Sequence, residues 1–146
     1  MQDLTRFETL EADVLAALGD AEQEGLGSEA GQAAFARGMA VLDELDEYRS
    51  AQVYSPLSAD PLTRDYVSHL DGQLHGLATR IDILRTHIEL DLLTGGSGDA
   101  GLLDASLSRL IRQLQVRFRR EATLMPVYAS WCDRHSARPE LAARHH

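Results

Sequence analysis

The fold of this chain is decided by residues 60–93, which read DPLTRDYVSHLDGQLHGLATRIDILRTHIELDLL. Apolar residues recur in it at alternating spacings of three and four: Val67, Leu70, Leu74, Leu77, Ile81, Leu84 and Ile88. This spacing places a continuous apolar stripe on one face of a helix, as in the buried seam of a helical bundle. We therefore predict a helix over the whole segment, with Leu74, Leu77 and Ile81 nearly fully buried.

Capping and breaking residues predict where the helices begin and end. Asp60 is a candidate N-cap of this helix, and Pro61 suits the first helical position, where no backbone N–H is needed. Residues 95–98, GGSG, favour a flexible loop because glycine sustains a helix poorly. Ser28 and Asp99 are the expected starts of the helices on either side.

Three further segments show similar apolar spacing, and we predict helices over residues 3–18, 28–50 and 99–135. Their expected inward residues are Leu4, Phe7, Leu10, Val14 and Leu18 in the first, Phe35, Met39, Leu42 and Leu45 in the second, and Leu103, Leu107, Leu110, Leu114 and Phe118 in the last. Pro126 should bend or interrupt the last helix, because its ring removes a donor and clashes with the carbonyl one turn back.

These segments together predict the fold class. No stretch alternates apolar and polar residues with the period of two that is typical of strands. Long amphipathic helices joined by short connections favour antiparallel neighbours. We predict one all-α domain over residues 1–146, folded as an antiparallel up-and-down four-helix bundle.

Composition excludes several functional classes. The net charge of −9 argues against a nucleic-acid partner, since binding to phosphates requires positive charge. All 14 basic residues are arginines, which we interpret as codon bias in a GC-rich genome, and chemistry that needs a lysine is excluded. No apolar run could span a membrane, and the first residues lack a secretory signal pattern. With Cys132 as the only cysteine, we expect a cytoplasmic protein without disulfides.

Charge is distributed unevenly along the chain. Residues 1–48 contain twelve acids, whereas residues 109–120 contain five arginines and no acid. The simplest interpretation is that oppositely charged helices lie side by side; the alternative is a patch that binds a partner. We expect Arg120 to pair with a buried acid inside the monomer, and we favour the same interpretation less strongly for Arg112 and Arg119.

Residues 119–128, RREATLMPVY, resemble the fourth-helix signature of hemerythrin-like cation-binding domains. In that family a histidine and an acid are followed, after a short apolar stretch, by an aromatic or aliphatic residue and proline. Residues 53–57, VYSPL, are similar to the same pattern near the end of the second helix. The resemblance extends over about residues 31–131 and implies a four-helix bundle.

The resemblance also implies where a metal would bind. Members of the family hold an oxo-bridged di-iron centre with histidines and carboxylates from all four helices. Here Arg120 stands where a ligand carboxylate is expected and Val116 where a histidine is expected, so that only Glu121 remains of the signature's acids. A permanent guanidinium opposes a divalent cation. The resemblance therefore supports the bundle and predicts that the iron has been lost.

Glu121, His75 and Glu11 are the candidates for a reduced metal site. Glu121 lies on the inward stripe, where it is either a surviving ligand or a buried carboxylate paired with an arginine, and we expect the pairing. Glu11 borders the apolar face of the first helix, and His75 lies beside the seam of the third. Three acid–histidine pairs have the i, i+4 spacing that suits either a weak metal site or an exposed pair: Asp65–His69, Asp71–His75 and His87–Asp91.

We predict a non-enzymatic regulatory or protein-interaction module without metal, cofactor or catalytic residues, whose partner is another protein. One alternative is a metal-binding or oxygen-sensing protein that holds iron with Glu121, His75 and Glu11. A further alternative is histidine phosphotransfer through His69 or His75, although Asp71 would repel an incoming phosphate. Cys132 has His135 nearby as a candidate base, but an inert buried thiol is the simpler interpretation. His145 and His146 are typical of a tag remnant and enter no functional argument.

Overall fold

The computed structural model describes residues 4–95 and 100–144, with side chains over 5–95 and 100–136. These ranges contain six α-helices: α1 (Leu4–Glu24), α2 (Glu29–Arg49), α3 (Ser55–Ala59), α4 (Arg64–Leu93), α5 (Ala100–Glu121) and α6 (Leu124–Arg144). A π-helical turn, Ser50–Tyr54, joins α2 to α3. No strand occurs in the described ranges, so the all-α prediction is confirmed there. The predicted helix starts at Asp3 and Asp99, and the terminal His145 and His146, lie outside the described residues.

The turn between α1 and α2 follows from its sequence. Gly25 has φ of 84°, a left-handed conformation that glycine adopts without steric cost, and it ends α1. The Ser28 hydroxyl then accepts a hydrogen bond of 3.0 Å from the backbone N–H of Gly31, which confirms Ser28 as the N-cap of α2. The first helix therefore runs six residues beyond the predicted end at Leu18.

Ion pairs and hydrogen bonds define how the long helices neighbour each other. Arg6 contacts Glu44 at 2.6 Å near one end of α1, and Asp20 contacts Arg37 at 3.9 Å near the other, so α1 and α2 are antiparallel. Gly38 allows their close approach, because a Cβ at this position would lie 2.7 Å from the Leu18 side chain.

The fourth and fifth helices complete the interior. Arg85 of α4 makes two hydrogen bonds to Asp43 of α2, at 2.7 and 3.0 Å. Asp104, near the start of α5, accepts a hydrogen bond of 2.9 Å from the backbone N–H of Leu26, just after the end of α1. The Arg85–Asp43 bonds therefore link α4 to α2, and α5 lies against α1 and α4, around one shared interior.

The core includes the residues that the apolar spacing predicts. Leu74, Leu77 and Ile81 are 5%, 2% and 2% exposed, which confirms the prediction for the centre of α4. The predicted inward residues of the other helices are buried from Phe7 to Phe118, and Leu84 is half-buried. Leu4 has no described side chain.

Two further helix boundaries differ from the prediction. Asp60 does not cap the long helix: α4 begins at Arg64, and the Asp60 carboxylate accepts a hydrogen bond from Leu62 N–H within a separate turn. Pro61 therefore lies in that turn, whose backbone is further held by the Thr63 hydroxyl donating to the Leu57 carbonyl.

The predicted fourth helix, 99–135, is two helices rather than one kinked helix. Ala122 and Thr123 form a turn between α5 and α6, and Pro126 is the third residue of α6. The physical reason is the one that predicted a kink, because the proline ring excludes the carbonyl of Ala122 from a helical bond. The helix is therefore interrupted one turn before the proline. Pro126 then lies in the first turn of α6, where the backbone N–H groups have no partner within the helix and a proline is tolerated.

None of the described helices combines the length and the apolar character that a membrane span requires.

Candidate functional site

A buried arginine marks the candidate site. Arg49 is the last residue of α2, and it follows Leu42 and Leu45 at spacings of three and four, so the helix directs it inward. It is only 2% exposed. Its guanidinium carbon lies 5.9 Å from the centre of the Phe118 ring, within reach of a cation–π contact. A buried guanidinium requires anionic partners, because an unpaired charge in the interior costs several kcal/mol.

Glu121 is the main anionic partner of Arg49. It ends α5, is 3% exposed, and its Oε1 lies 3.3 Å from Arg49 Nη2 and 3.3 Å from Arg117 Nε. Its other oxygen, Oε2, accepts a hydrogen bond of 2.7 Å from the Tyr54 hydroxyl. The prediction that Glu121 is a buried carboxylate paired with arginine is therefore confirmed.

Asp46 closes these contacts into a ring. Its Oδ1 lies 3.0 Å from Arg49 Nη1 and 2.8 Å from Arg117 Nη2. The two arginines thus bridge the same two acids, and we call Asp46, Arg49, Arg117 and Glu121 the charge ring. Its formal charge is zero. Burial acts against the Arg117 guanidinium, but Glu121 and Asp46 more than compensate and raise its pKa.

The π-helical turn places Tyr54 against this ring. A π turn inserts an extra residue into the helical repeat, and such turns are frequent at functional sites. Val53 within the turn and Leu57 after it are buried in the core, while the Tyr54 hydroxyl at the end of the turn reaches Glu121. Burial, followed by the negative charge of Glu121, raises the Tyr54 pKa well above its usual range, so the phenol stays protonated and remains a donor.

Glu11 of α1 lies outside the ring but within its field. Its Oε2 is 4.0 Å from Arg49 Nη2. Burial raises the pKa of the Glu11 carboxyl, Arg49 opposes that rise, and Glu121 adds to it. Glu11 therefore interacts with Arg49 less strongly than Glu121 does.

Two openings flank the charge ring. A cleft of about 660 Å³ lies on the side of α4, where the ring and Tyr54 meet His75, Ser68 and Arg64 among other residues. A smaller cavity of about 250 Å³ lies on the side of α1, where Glu11 joins Arg49 and Glu121. The buried atoms Arg49 Nη2 and Glu121 Oε1 make no well-aligned hydrogen bond, so their contact is ionic.

Two of the three metal candidates, Glu11 and Glu121, thus meet at one arginine rather than at an open site. Glu11 and Glu121 border the same cavity, while His75 is exposed at the cleft on the other side. Arg49 contacts both carboxylates, and its positive charge cannot be titrated away. Among the described residues, no three His, Cys, Asp or Glu side chains are grouped to hold a metal ion.

The other candidate histidines lie on the surface. His69 is exposed and its Nε2 contacts the Gln73 amide at 3.2 Å, and His87 is also exposed. Within the part of the chain that the structure describes, none of the pairs Asp65–His69, Asp71–His75 and His87–Asp91 forms an ion pair.

His135 contacts Trp131 of its own helix rather than Cys132. Its Nδ1 donates a hydrogen bond of 2.8 Å to the Trp131 carbonyl, and its ring stacks on that of Trp131 with centres 4.2 Å apart. Cys132 is half-buried and packs against the core. This arrangement favours the inert interpretation of the thiol.

The prediction for Arg120 is wrong. Arg120 is exposed, and in the described ranges it forms no ion pair. Arg112 and Arg119 are likewise exposed without an acid partner there. Helical geometry explains the difference: Arg117, four residues before Glu121, lies on the same face as that acid, whereas Arg120 lies beside it in sequence and projects to another face.

Sequence reasoning missed Arg49, Arg117 and Tyr54. A signal for Arg49 was present, since an arginine continues the inward spacing of Leu42 and Leu45. Tyr54 lies in the quoted VYSPL segment, but its contact with Glu121 depends on the π turn.

Comparison of the chain with protein-family models, curated proteins and solved structures finds no match.

Proposed function

We propose that this chain is a non-enzymatic regulatory or protein-interaction module, built on a degenerate hemerythrin-like bundle in which the charge ring replaces a di-iron centre. It acts in the cytoplasm, and its partner is another protein rather than a nucleic acid or a membrane. The observation that carries the proposal is the pair of guanidiniums, Arg49 and Arg117, held by Glu121 in the interior.

The bundle itself is supported by the helix neighbours. α1 and α2 run in opposite directions, α4 lies against α2, and α5 lies against α1 and α4. An antiparallel up-and-down arrangement of these four helices accounts for all of these contacts. In such a bundle, metal sites are built from inward side chains on facing helices, which is the kind of position that the charge ring occupies.

Charge balance supports the loss of metal. The ring has two positive and two negative groups in a largely buried position. A divalent cation bound to Glu121 would displace an arginine or leave an excess of positive charge, and either outcome is costly in the interior. The ring therefore favours a structural role for Glu121 over a catalytic one.

The alternative is a reduced iron site made by Glu121, Glu11 and His75. One observation favours it: Glu11 and Glu121 border the same 250 Å³ cavity, and Glu121 Oε1 lacks an aligned hydrogen bond. Metal binding there would require Arg49 to leave the contacts that it makes with both carboxylates.

Metal analysis separates the two functions. The chain, ending at Arg144 to remove the terminal histidines, should be produced with added iron and analysed for iron, manganese and zinc by mass spectrometry. We expect far less than one metal ion per chain, equal in wild type and in Glu121→Gln. One or more iron ions per chain, accompanied by a visible absorption band and lost in Glu121→Gln, would overturn the proposal and establish the reduced site.

A further inference from the structure

The outer face of α4 carries a second regular stripe that the core does not use. Its residues repeat at spacings of four, three, four and three: Thr79, Ile83, Thr86, Leu90 and Leu93. All five are exposed, and Ile83, Leu90 and Leu93 are 62%, 56% and 81% accessible. We call this set the outer seam. Such spacing is the pattern by which one helix packs along another.

Polar residues flank the outer seam on both sides. The acids Asp82 and Glu89 follow one edge, and Arg80 and the imidazole of His87 follow the other. Glu89 is already bonded to Arg85 at 3.1 Å, whereas Asp82 has no ion pair among the described residues. Residues at the flanking positions of a helix pair determine which helix binds and in which direction it runs. The distribution of charge along the two edges therefore indicates which partner helix the outer seam can bind.

We propose that the outer seam binds the same seam of a second copy of this chain, with the two α4 helices parallel. In a parallel pair each residue on one edge faces the residue five positions later on the opposite edge of the other helix. Asp82 then faces His87 of the second copy, and two-fold symmetry forms this contact twice.

The antiparallel arrangement fits less well. It would place the Asp82 edge of one copy along the same edge of the other, so that Asp82 approaches Glu89 of the second copy. Like charges in these positions are unfavourable. The parallel pair instead places the Asp82 carboxylate beside an imidazole, so it is the better fit.

The dimer is expected to be reversible. The outer seam spans 15 residues, a helix length of about 21 Å. Two of its five members are threonines, and a contact of one helix per copy lies at the small end of protein interfaces. The inference does not depend on the proposed function, since the seam is on the surface and the charge ring is inside.

Sedimentation equilibrium over a concentration series tests the contact. We expect wild type to pass from monomer to dimer, and Leu90→Asp to raise the dissociation constant about tenfold or more because it places a charge in the seam. Leu62→Asp is the matched control, since Leu62 is a 77% exposed leucine outside the seam; its dissociation constant should equal that of wild type. Helical melting curves verify that both variants fold. A wild type that stays monomeric up to about 1 mM, or equal effects of the two variants, would overturn the dimer.

Charge reversal tests the orientation. Asp82→Arg should weaken the dimer, because it would face His87 of the second copy, and adding His87→Glu should restore it. If Asp82→Arg alone tightens the dimer, the acidic edges face each other and the parallel arrangement is wrong.

Discussion

The interior contains two regions that are built on different principles. One is apolar throughout, with side chains that are at most 1% exposed: Leu18, Leu26, Ile88, Leu107 and Leu110. The other is the charge ring with Tyr54, where four ionised groups meet. The apolar region requires only helices that present one face. The charged region requires particular atoms at particular distances.

The backbone reflects this difference. The helices that line the apolar region are regular, whereas the charged region coincides with the π turn that ends at Tyr54 and with the break at Ala122–Thr123 after Glu121. Replacing a buried ion pair by apolar residues is often neutral or stabilising, while removing one member of it is strongly destabilising. The charged region therefore specifies one arrangement of the helices more than it adds stability.

Among the substitutions that test this difference, Arg49→Met should have the largest effect on the free energy of unfolding. It leaves the buried Glu121 with one arginine fewer, and we expect a loss of about 3–5 kcal/mol in the free energy of unfolding. Urea unfolding followed by circular dichroism measures it. Arg112→Met is the control, because Arg112 is exposed on α5; its effect should stay within about 0.5 kcal/mol. Equal effects of the two substitutions would show that Arg49 is not held as described.

In the apolar region, Leu77→Ala should cost about 2–5 kcal/mol, the range for truncating a core leucine. Leu77 is 2% exposed at the centre of the α4 seam. Thermal unfolding of the variant beside wild type gives the value. A loss below about 1 kcal/mol would mean that α4 presents another face to the core.

Tyr54→Phe should have a smaller effect in the charged region. It removes the 2.7 Å hydrogen bond to Glu121 but keeps the ring, and a bond to a charged group contributes about 1.5–3 kcal/mol. The measurement is chemical unfolding at pH 7. A variant as stable as wild type would indicate that the π turn does not serve to deliver this hydroxyl.

The smallest effect concerns Glu11, and it depends on pH. Because its pKa is raised in the folded state, the folded protein binds the proton more tightly than the unfolded chain does. The resulting stabilisation is full below the unfolded pKa of about 4.5 and is lost as pH rises through the folded value.

Glu11→Gln removes this loss, so it should be more stable than wild type at pH 7, by about 1 kcal/mol or less, and the difference should vanish towards pH 4. Melting temperatures of both proteins over this pH range report it. A Gln variant that is less stable at pH 7 would mean that attraction to Arg49 outweighs burial.

The two regions also differ in how far the sequence predicts them. Periodicity identified the buried positions of α4, because burial of one face is a local property of a helix. It also placed Glu121 inward. It did not identify Arg49 as its partner, since a contact between residues 72 positions apart depends on how α2 and α5 meet. The choice of Arg120 failed because adjacent residues on a helix point in different directions.

Irregular backbone accounts for the remaining differences. The π turn at Ser50–Tyr54 has no signature in the apolar spacing, and it determines which way Tyr54 points. The apolar spacing continues from α5 into α6, and the proline alone does not tell a bend from the interruption that the structure has at Ala122–Thr123. Both irregularities lie beside the charge ring.

A double-mutant cycle tests most directly whether Arg49 and Glu121 stabilise each other in the interior. Unfolding free energies would be measured, after dialysis against a chelator, for wild type, Arg49→Met, Glu121→Met and the double variant. We expect each single change to cost about 3–5 kcal/mol and the double change to cost at least about 2 kcal/mol less than their sum, because it removes both buried charges together. Additive costs would contradict the account, since they would show that Arg49 and Glu121 do not stabilise each other.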